Sequence, residues 1–312
     1  MSSQLQVAPI AHIGYHKTAT TWFQKHVWPL AVSHDFIDRK VTQRVFLNPP
    51  GLHFVADEAR QMLGLDKRQR PIVLSEENLS GYIHNGGMHG LIGAEMARRL
   101  HLVLPDAKIV IFIRNQHDIV RASYAQYVSG GGTFGARRYF NTHDYVRGAL
   151  TRAYKAPAFE FEHFEFDRLI ACYDDLFGPE RVHVYPYEWL RDRTRLLARL
   201  SEDLGVEFAS GATASTKTAN RSLGPLGLLI LRCVNLFTRQ SVVNKSYLID
   251  VPYWQGVRHA VKFMLGHVPG MASRGEILPR SVRERIDAVY APANRRLLNL
   301  RDLPLEELGY PL

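Results

Sequence analysis

With 312 residues, the chain can bury a sizeable core and sits near the upper size of one domain rather than clearly at two. Lys and Arg number 39 against 30 Asp and Glu, and the net charge of +9 favours an anionic partner: nucleic acid, an anionic membrane or a phosphorylated small molecule. Two cysteines, Cys172 and Cys233, exclude a disulfide framework and a cysteine-built zinc site, and point to a reducing compartment.

The opening residues, MSSQLQVAPIAHIG, lack the basic start, long apolar run and cleavage site of a secretory signal, so the cytoplasm is the expected compartment. Short apolar runs then alternate with longer stretches of helical period, the pattern of an α/β fold with a mostly parallel sheet. Strands are expected at residues 10–13, 71–75, 108–113 and 181–185. The third lies in AKIVIFIR, which is apolar enough to be covered on both faces and therefore central. Helices are expected at residues 20–30, 91–103, 116–128, 144–155, 163–177, 187–204, 223–237, 255–265 and 280–299. Residues 129–138 and 209–225, rich in Gly, Ser, Thr and basic residues, read as a lid or as anion-contacting loops. The longest apolar run, LGLLIL at 226–231, is closed by Arg232 and falls far short of the ~20 residues that span a bilayer. A spanning helix is thereby excluded, while peripheral contact with a membrane stays open. The expectation is one domain over residues 1–312, its part from about 209 to 312 largely helical. Its fold class is α/β, a P-loop-like three-layer arrangement with a central, mostly parallel sheet flanked by helices.

GYHKTATTWF, residues 14–23, follows the first strand and opens the first helix. A strand-to-helix turn lies at the carboxyl edge of the sheet, where open α/β sheets bind their ligands. The free N–H groups of the first helical turn and the helix dipole favour an anion there. Lys17 adds a full charge, and Thr18, Thr20 and Thr21 add hydroxyl donors. The Gly-Lys-Ser/Thr that wraps the β-phosphate of a nucleoside triphosphate is missing. The same residues also suit an ordinary tight turn with Thr20 as its cap.

HIGYHKTATTWFQ resembles the 5′-phosphosulfate loop of sulfotransferases that use 3′-phosphoadenosine 5′-phosphosulfate (PAPS), particularly a bacterial group with a His-Lys-Thr-Gly/Ala-Thr-Thr core. That resemblance implies that Lys17 contacts the oxygen bridging phosphate and sulfuryl group. It also implies that Gly14, His16, Thr18, Ala19, Thr20 and Thr21 form the cradle of the 5′-phosphate. IVIFIRNQHDIVRASYAQYV is similar to the family's second signature, which places Arg114 on the 3′-phosphate. An arginine at a strand end beside a helix start suits bidentate phosphate binding. The family's serine usually comes eight residues after the arginine, where this chain has Ala122; Ser123 follows one position later, about 100° around a helix. PIVLSEENLSGY resembles the segment that carries the family's base, with Glu77 in the base position and Glu76 where the family often has Ser. Adjacent strand residues point to opposite faces, so only one of the pair should look into the site. KTANRSLGP resembles the loop over adenosine and 3′-phosphate, with Lys217, Asn220 and Arg221 as its donors.

The resemblance implies in-line sulfuryl transfer from PAPS to a hydroxyl or amine, leaving adenosine 3′,5′-bisphosphate and requiring no metal. By family analogy the acceptor is a carbohydrate or a small hydroxyl-bearing molecule and the setting bacterial; no aromatic-basic motif of a nucleic-acid module is visible, so nucleic acid is not an expected partner. His53, His84 and His89 are further candidates on the acceptor side. Two other readings compete: a P-loop-type kinase or NTPase, and a basic polyanion-binding protein without catalysis.

Overall fold

The computed structural model describes residues 8–141, 158–209, 223–237, 248–249, 251, 254–268, 271 and 275–312. Five strands make one sheet: β1 (Ile10–His12), β2 (Asp35–Ile37), β3 (Ile72–Ser75), β4 (Lys108–Ile113) and β5 (Val182–Pro186). Their order is β2-β3-β1-β4-β5 and every pairing is parallel. β1 is therefore the middle strand, and β4 is interior beside it. Five residues of β4, Ile109, Val110, Ile111, Phe112 and Ile113, are wholly buried, as its unbroken apolar run requires.

Period-two alternation divides these strands between two cores. Ile109, Ile111 and Ile113 join Ala11, Ile72 and Leu74 in the core beneath α4 (Leu91–Val103), α5 (Gln116–Ser129), α7 (Phe166–Phe177) and α11 (Arg280–Leu300). Val110 and Phe112 join Ile10 and Val73 on the other face, against α1 (Thr20–His26) and α8 (Arg193–Leu204). Helices on both faces of a parallel sheet give the expected three layers. The chain runs from β1 out to β2, returns to β3, and crosses to β4 on the far side of β1, so the carboxyl ends of β1, β3 and β4 frame the switch point.

The remaining helices are α2 (Arg39–Thr42), α3 (Ala56–Leu63), α6 (Ala136–Tyr139), α9 (Pro225–Asn235) and α10 (Trp254–His267). β2, α2, α3 and α6 have no counterpart among the sequence expectations. The helix expected at 20–30 ends at His26 and continues as a 3₁₀ turn, Trp28–Leu30, because Pro29 has no N–H to carry the α ladder on. That expected at 187–204 is a 3₁₀ turn, Tyr187–Arg191, followed by α8, whose N-terminus Asp192 caps by accepting from the Arg195 N–H at 3.0 Å. The helix expected at 144–155 lies outside the described residues.

Candidate active site

The loop after β1 is built over a buried histidine. Burial pushes the His12 ring down to about 3, so it is neutral. Its Nδ1 accepts from Trp28 Nε1 at 3.0 Å and lies 2.8 Å from the Ser75 hydroxyl. Phe23, Trp28 and Phe112 surround it, with centroids 5.1, 5.6 and 5.5 Å away. Gly14 crosses directly above: a Cβ there would stand 2.8 Å from His12 Nε2. Farther on, Lys17 and Ala19 both adopt left-handed backbone with φ of 66°, a conformation that costs a non-glycine residue about 1–2 kcal/mol. The strain is spent on direction. A left-handed Ala19 followed by helical Thr20 turns successive N–H groups toward one concavity, the arrangement of anion-binding nests. Trp22 and Phe23 N–H both go to the Ala19 carbonyl, at 2.8 and 3.2 Å, while the N–H groups of Thr20 and Thr21 precede the helix's own acceptors. Thr20 is buried, and its hydroxyl has no partner among the described residues. The Thr18 hydroxyl donates instead to the Tyr15 carbonyl, bracing the turn.

Cations converge on this loop from three elements. Lys17 Nζ donates to Gln126 Oε1 of α5 at 2.5 Å. Burial lowers the Lys17 pKa, and the charges of Lys262 on α10 and Arg114 lower it further, against the opposite pull of Glu77. Arg114, just past β4, donates from Nη1 to the Lys17 carbonyl at 3.0 Å, and its guanidinium lies over the Tyr187 ring, 4.5 Å from the centroid. Its buried Nε–H has no partner among the described residues.

The carboxylates follow β3. Glu76 is wholly buried, and Glu77 opens a 3₁₀ turn, Glu77–Ser80. Burial raises the Glu76 carboxyl, but bonds from Arg39, the Asn78 N–H and Gln43 outweigh it and hold the group below the ordinary carboxylate range. Glu77 is raised, first by burial and then by the neighbouring Glu76 charge, with Arg39 opposing. The rule of opposite faces does not separate the pair. β3 stops at Ser75, and the turn that starts at Glu77 brings both side chains to Arg39, with N–O distances of 2.7 Å to Glu76 and 2.8 Å to Glu77. His16 ties the two halves together, its Nε2 donating to Asn78 Oδ1 at 3.0 Å; burial takes its pKa down to about 4, so the ring is neutral.

The structure thus gathers Gly14, His16, Lys17, Thr18, Ala19, Thr20 and Thr21 with Arg114, Glu76 and Glu77 at one sheet edge. It does not bring Ser123 there. Ser123 is wholly buried in α5 and donates to the Ile119 carbonyl at 2.8 Å, the back-bond of a helical serine, so the one-residue displacement from position 122 turns its hydroxyl into the core. Lys217, Asn220 and Arg221 lie outside the described residues. His84 is buried, 2.5 Å from the Tyr139 hydroxyl; burial, aided by the Lys17 charge, takes it down to about 3. His89 pairs with Glu160 at 2.8 Å, and His53 is exposed in a turn. Arg39, Gln43, Gln24 and Gln126 complete the contacts and were not among the sequence candidates. Only Gln24 carried a signal, lying four residues after Thr20 and so on the same face of α1.

No family model matches the chain, and no curated protein matches it. Among solved structures it is similar to the mouse sulfotransferase SULT7A1 complexed with PAP, at 11% identity over 96% of this chain and 87% of that one, with a TM-score of 0.39. It is also similar to the sulfotransferase domain from the curacin biosynthetic pathway, at 11% identity over 98% of both chains, with a TM-score of 0.41. The sulfotransferase from Alicyclobacillus acidocaldarius matches 96% of this chain with 98% of its own, at 18% identity and a TM-score of 0.54. That last likeness is one of fold: the chain carries the α/β architecture of a sulfotransferase structure.

Proposed function

We propose that the chain is a PAPS-dependent sulfotransferase, a single domain over residues 1–312, acting on a hydroxyl or amine of a carbohydrate acceptor. The observation that carries this reading is the loop from Gly14 to Thr21. It spends two left-handed non-glycine residues to aim helix N–H groups at one concavity, beside a buried Thr20 hydroxyl with no partner among the described residues and beside Lys17, whose charge feels that of Glu77. An anion fits there: the like charges of Lys17, Lys262 and Arg114 depress one another, and the buried Arg114 Nε–H has no acceptor among the described residues. PAPS supplies the sulfuryl group and a phosphate as its leaving group. Lys17 and the loop N–H groups hold the 5′-phosphate end and offset charge on the leaving oxygen, a contribution of roughly 3–4 kcal/mol for a single aimed donor. Arg114 serves the 3′-phosphate, together with Lys217, Asn220 and Arg221. Glu77 takes the acceptor proton, because its raised pKa makes it a stronger base than an ordinary carboxylate at a worth of about 100- to 10,000-fold in rate. The scheme gives no role to a metal. The cytoplasm fits the sequence, with peripheral contact at the inner membrane face supported by Lys262 and the exposed Phe263 and Met264 of α10.

The decisive experiment is a melting curve with adenosine 3′,5′-bisphosphate in the absence of magnesium. A ligand present at 100 times its Kd stabilises by about 2.7 kcal/mol, so the midpoint should rise by some degrees. ATP with magnesium should leave it unmoved, and the bisphosphate effect should survive salt that would abolish polyanion binding. Stabilisation by ATP and not by the bisphosphate would overturn the reading in favour of a kinase or NTPase.

A further inference from the structure

Glu76 has no lone pair to spare. Its Oε2 accepts from Arg39 Nε and from Gln43 Nε2, each at 2.7 Å. Its Oε1 accepts from Arg39 Nη2 at 3.1 Å, the Asn78 N–H at 3.0 Å and Asn78 Nδ2 at 2.7 Å. A carboxylate offers roughly four acceptor directions, so this one is saturated and fixed. The Arg39 Nη2 that reaches Glu76 Oε1 also donates to Glu77 Oε1 at 2.8 Å. Glu77 Oε2, by contrast, has one long contact among the described residues, from Gln24 Nε2 at 3.5 Å, while that same Nε2 makes its shorter bond, 2.9 Å, to the Ser75 carbonyl. One oxygen of Glu77 is held and the other is loosely engaged.

We propose that Arg39 is the positioning residue of the transfer: anchored on Glu76, it grips Glu77 by Oε1 and leaves Oε2 to the acceptor. This rests on Glu77 being the base, as proposed above. In the transfer, the acceptor's O–H proton passes to Glu77 Oε2 as the acceptor oxygen bonds sulfur, and the departing phosphate oxygen keeps the electron pair of the bond it loses. Arg39 also sets the charge state. Glu77 faces Arg39 from α2, Glu76 from its own segment, Gln24 from α1 and Lys17 from the loop after β1. Without the guanidinium, two adjacent carboxylates would share a poorly solvated site, and one of them would keep its proton to higher pH. Because Asn78 bonds both Glu76 and His16, the base is tied through one network to the loop expected to hold the donor.

The test compares wild type with Arg39→Gln and Arg39→Lys. Carboxyl titrations of Glu77 are followed by NMR of ¹³C-labelled glutamate in the free protein, with Glu76→Gln and Glu77→Gln used for assignment. Arg39→Gln should move the Glu77 midpoint to higher pH, and Arg39→Lys, which keeps the charge without the fork, should move it less. With labelled PAPS and a panel of sugar acceptors, kcat should fall about 10- to 100-fold in Arg39→Gln, the scale of a misplaced reacting group, with little change in KM for the donor. A merely structural role would lower the yield of folded protein without moving the titration. Should Arg39→Gln fail to fold, Arg39→Lys carries both measurements. A Glu77 midpoint and a kcat that stay at wild-type values would overturn the proposal. Loss of bisphosphate binding by wild type would overturn the donor reading instead, so the two failures are distinct.

Discussion

Gly14→Ala puts two opposing effects on one atom. Gly14 does not have positive φ, so alanine can adopt its backbone, and the loss of unfolded-state freedom would by itself stabilise by about 0.4–1 kcal/mol. Against this, the new Cβ would stand 2.8 Å from His12 Nε2, 3.3 Å from Thr18 Oγ1 and 3.4 Å from His12 Cδ2. The imidazole has little freedom to yield, because Trp28 and Ser75 hold its Nδ1 and three aromatic rings enclose it. Forcing a methyl into such packing costs about 1–3 kcal/mol, so the steric term wins and the net change is destabilising. For a chain of this length the melting midpoint should drop by a few degrees. The loop, the softer partner, should give way, and bisphosphate should then stabilise the variant less than wild type. Denaturant melts of Gly14→Ala in the wild-type and His12→Ala backgrounds isolate the contact, since the penalty should shrink once the ring is gone. An equal penalty in both backgrounds, or a stabilised single variant, would refute the steric account.

Lys17→Ala should fold normally and lower kcat about 100- to 1,000-fold, the scale of a deleted charge-stabilising donor; rates from single-turnover assays with labelled PAPS check it. Glu77→Gln should bind bisphosphate as wild type does and lose turnover, and a fully active variant would move the base to Glu76 or a histidine. Since the folded pKa of Glu77 is raised, the acid limb of the wild-type rate profile should lie above the ordinary carboxylate range, with activity lost as pH falls through it and the group protonates. Glu76 is shifted the other way: its lowered pKa contributes stability that is present above the unfolded value and lost as pH falls through the folded one, which acid melts of Glu76→Gln should show as a flatter profile. Arg114→Ala should weaken bisphosphate binding in calorimetry, whereas Ser123→Ala should leave it unchanged, because that hydroxyl is bonded to the Ile119 carbonyl inside α5.

The strands with strong apolar runs were legible because burial on both faces leaves an unbroken signal, as Ile109 to Ile113 show. β2 was not. Three residues, Asp35, Phe36 and Ile37, carry too little pattern to read, and the edge strand is held by pairing with β3 and by Arg68 and Arg70 on Asp35, at 2.9 and 2.6 Å. The short helix after it was equally silent, since its signal is one Asp38 side chain accepting from the Lys40 N–H at 2.8 Å. Arg39 was lost with that helix. Its partners lie 37 and 38 residues away in the chain, and no local spacing encodes a contact of that range.

The loop after β1 was read in a different way, because its chemistry is local. A lysine and three threonines between a strand and a helix suit an anion site by adjacency, as they also suit a capped tight turn, whereas the choice between Glu76 and Glu77 depends on what approaches from elsewhere. Alternation along a strand predicts that the pair diverges, and that prediction fails because the strand ends one residue before them. What distinguishes the two carboxylates is their donors. Among the described residues, five hydrogen bonds fix Glu76, and one short bond with one long contact leaves Glu77 an open oxygen. A saturated carboxylate resists protonation, and an undersaturated, buried one invites it. The difference in environment between identical neighbours is therefore set by Arg39, Gln43, Gln24 and Asn78, and it follows that substituting those donors should exchange or erase that difference without touching either glutamate.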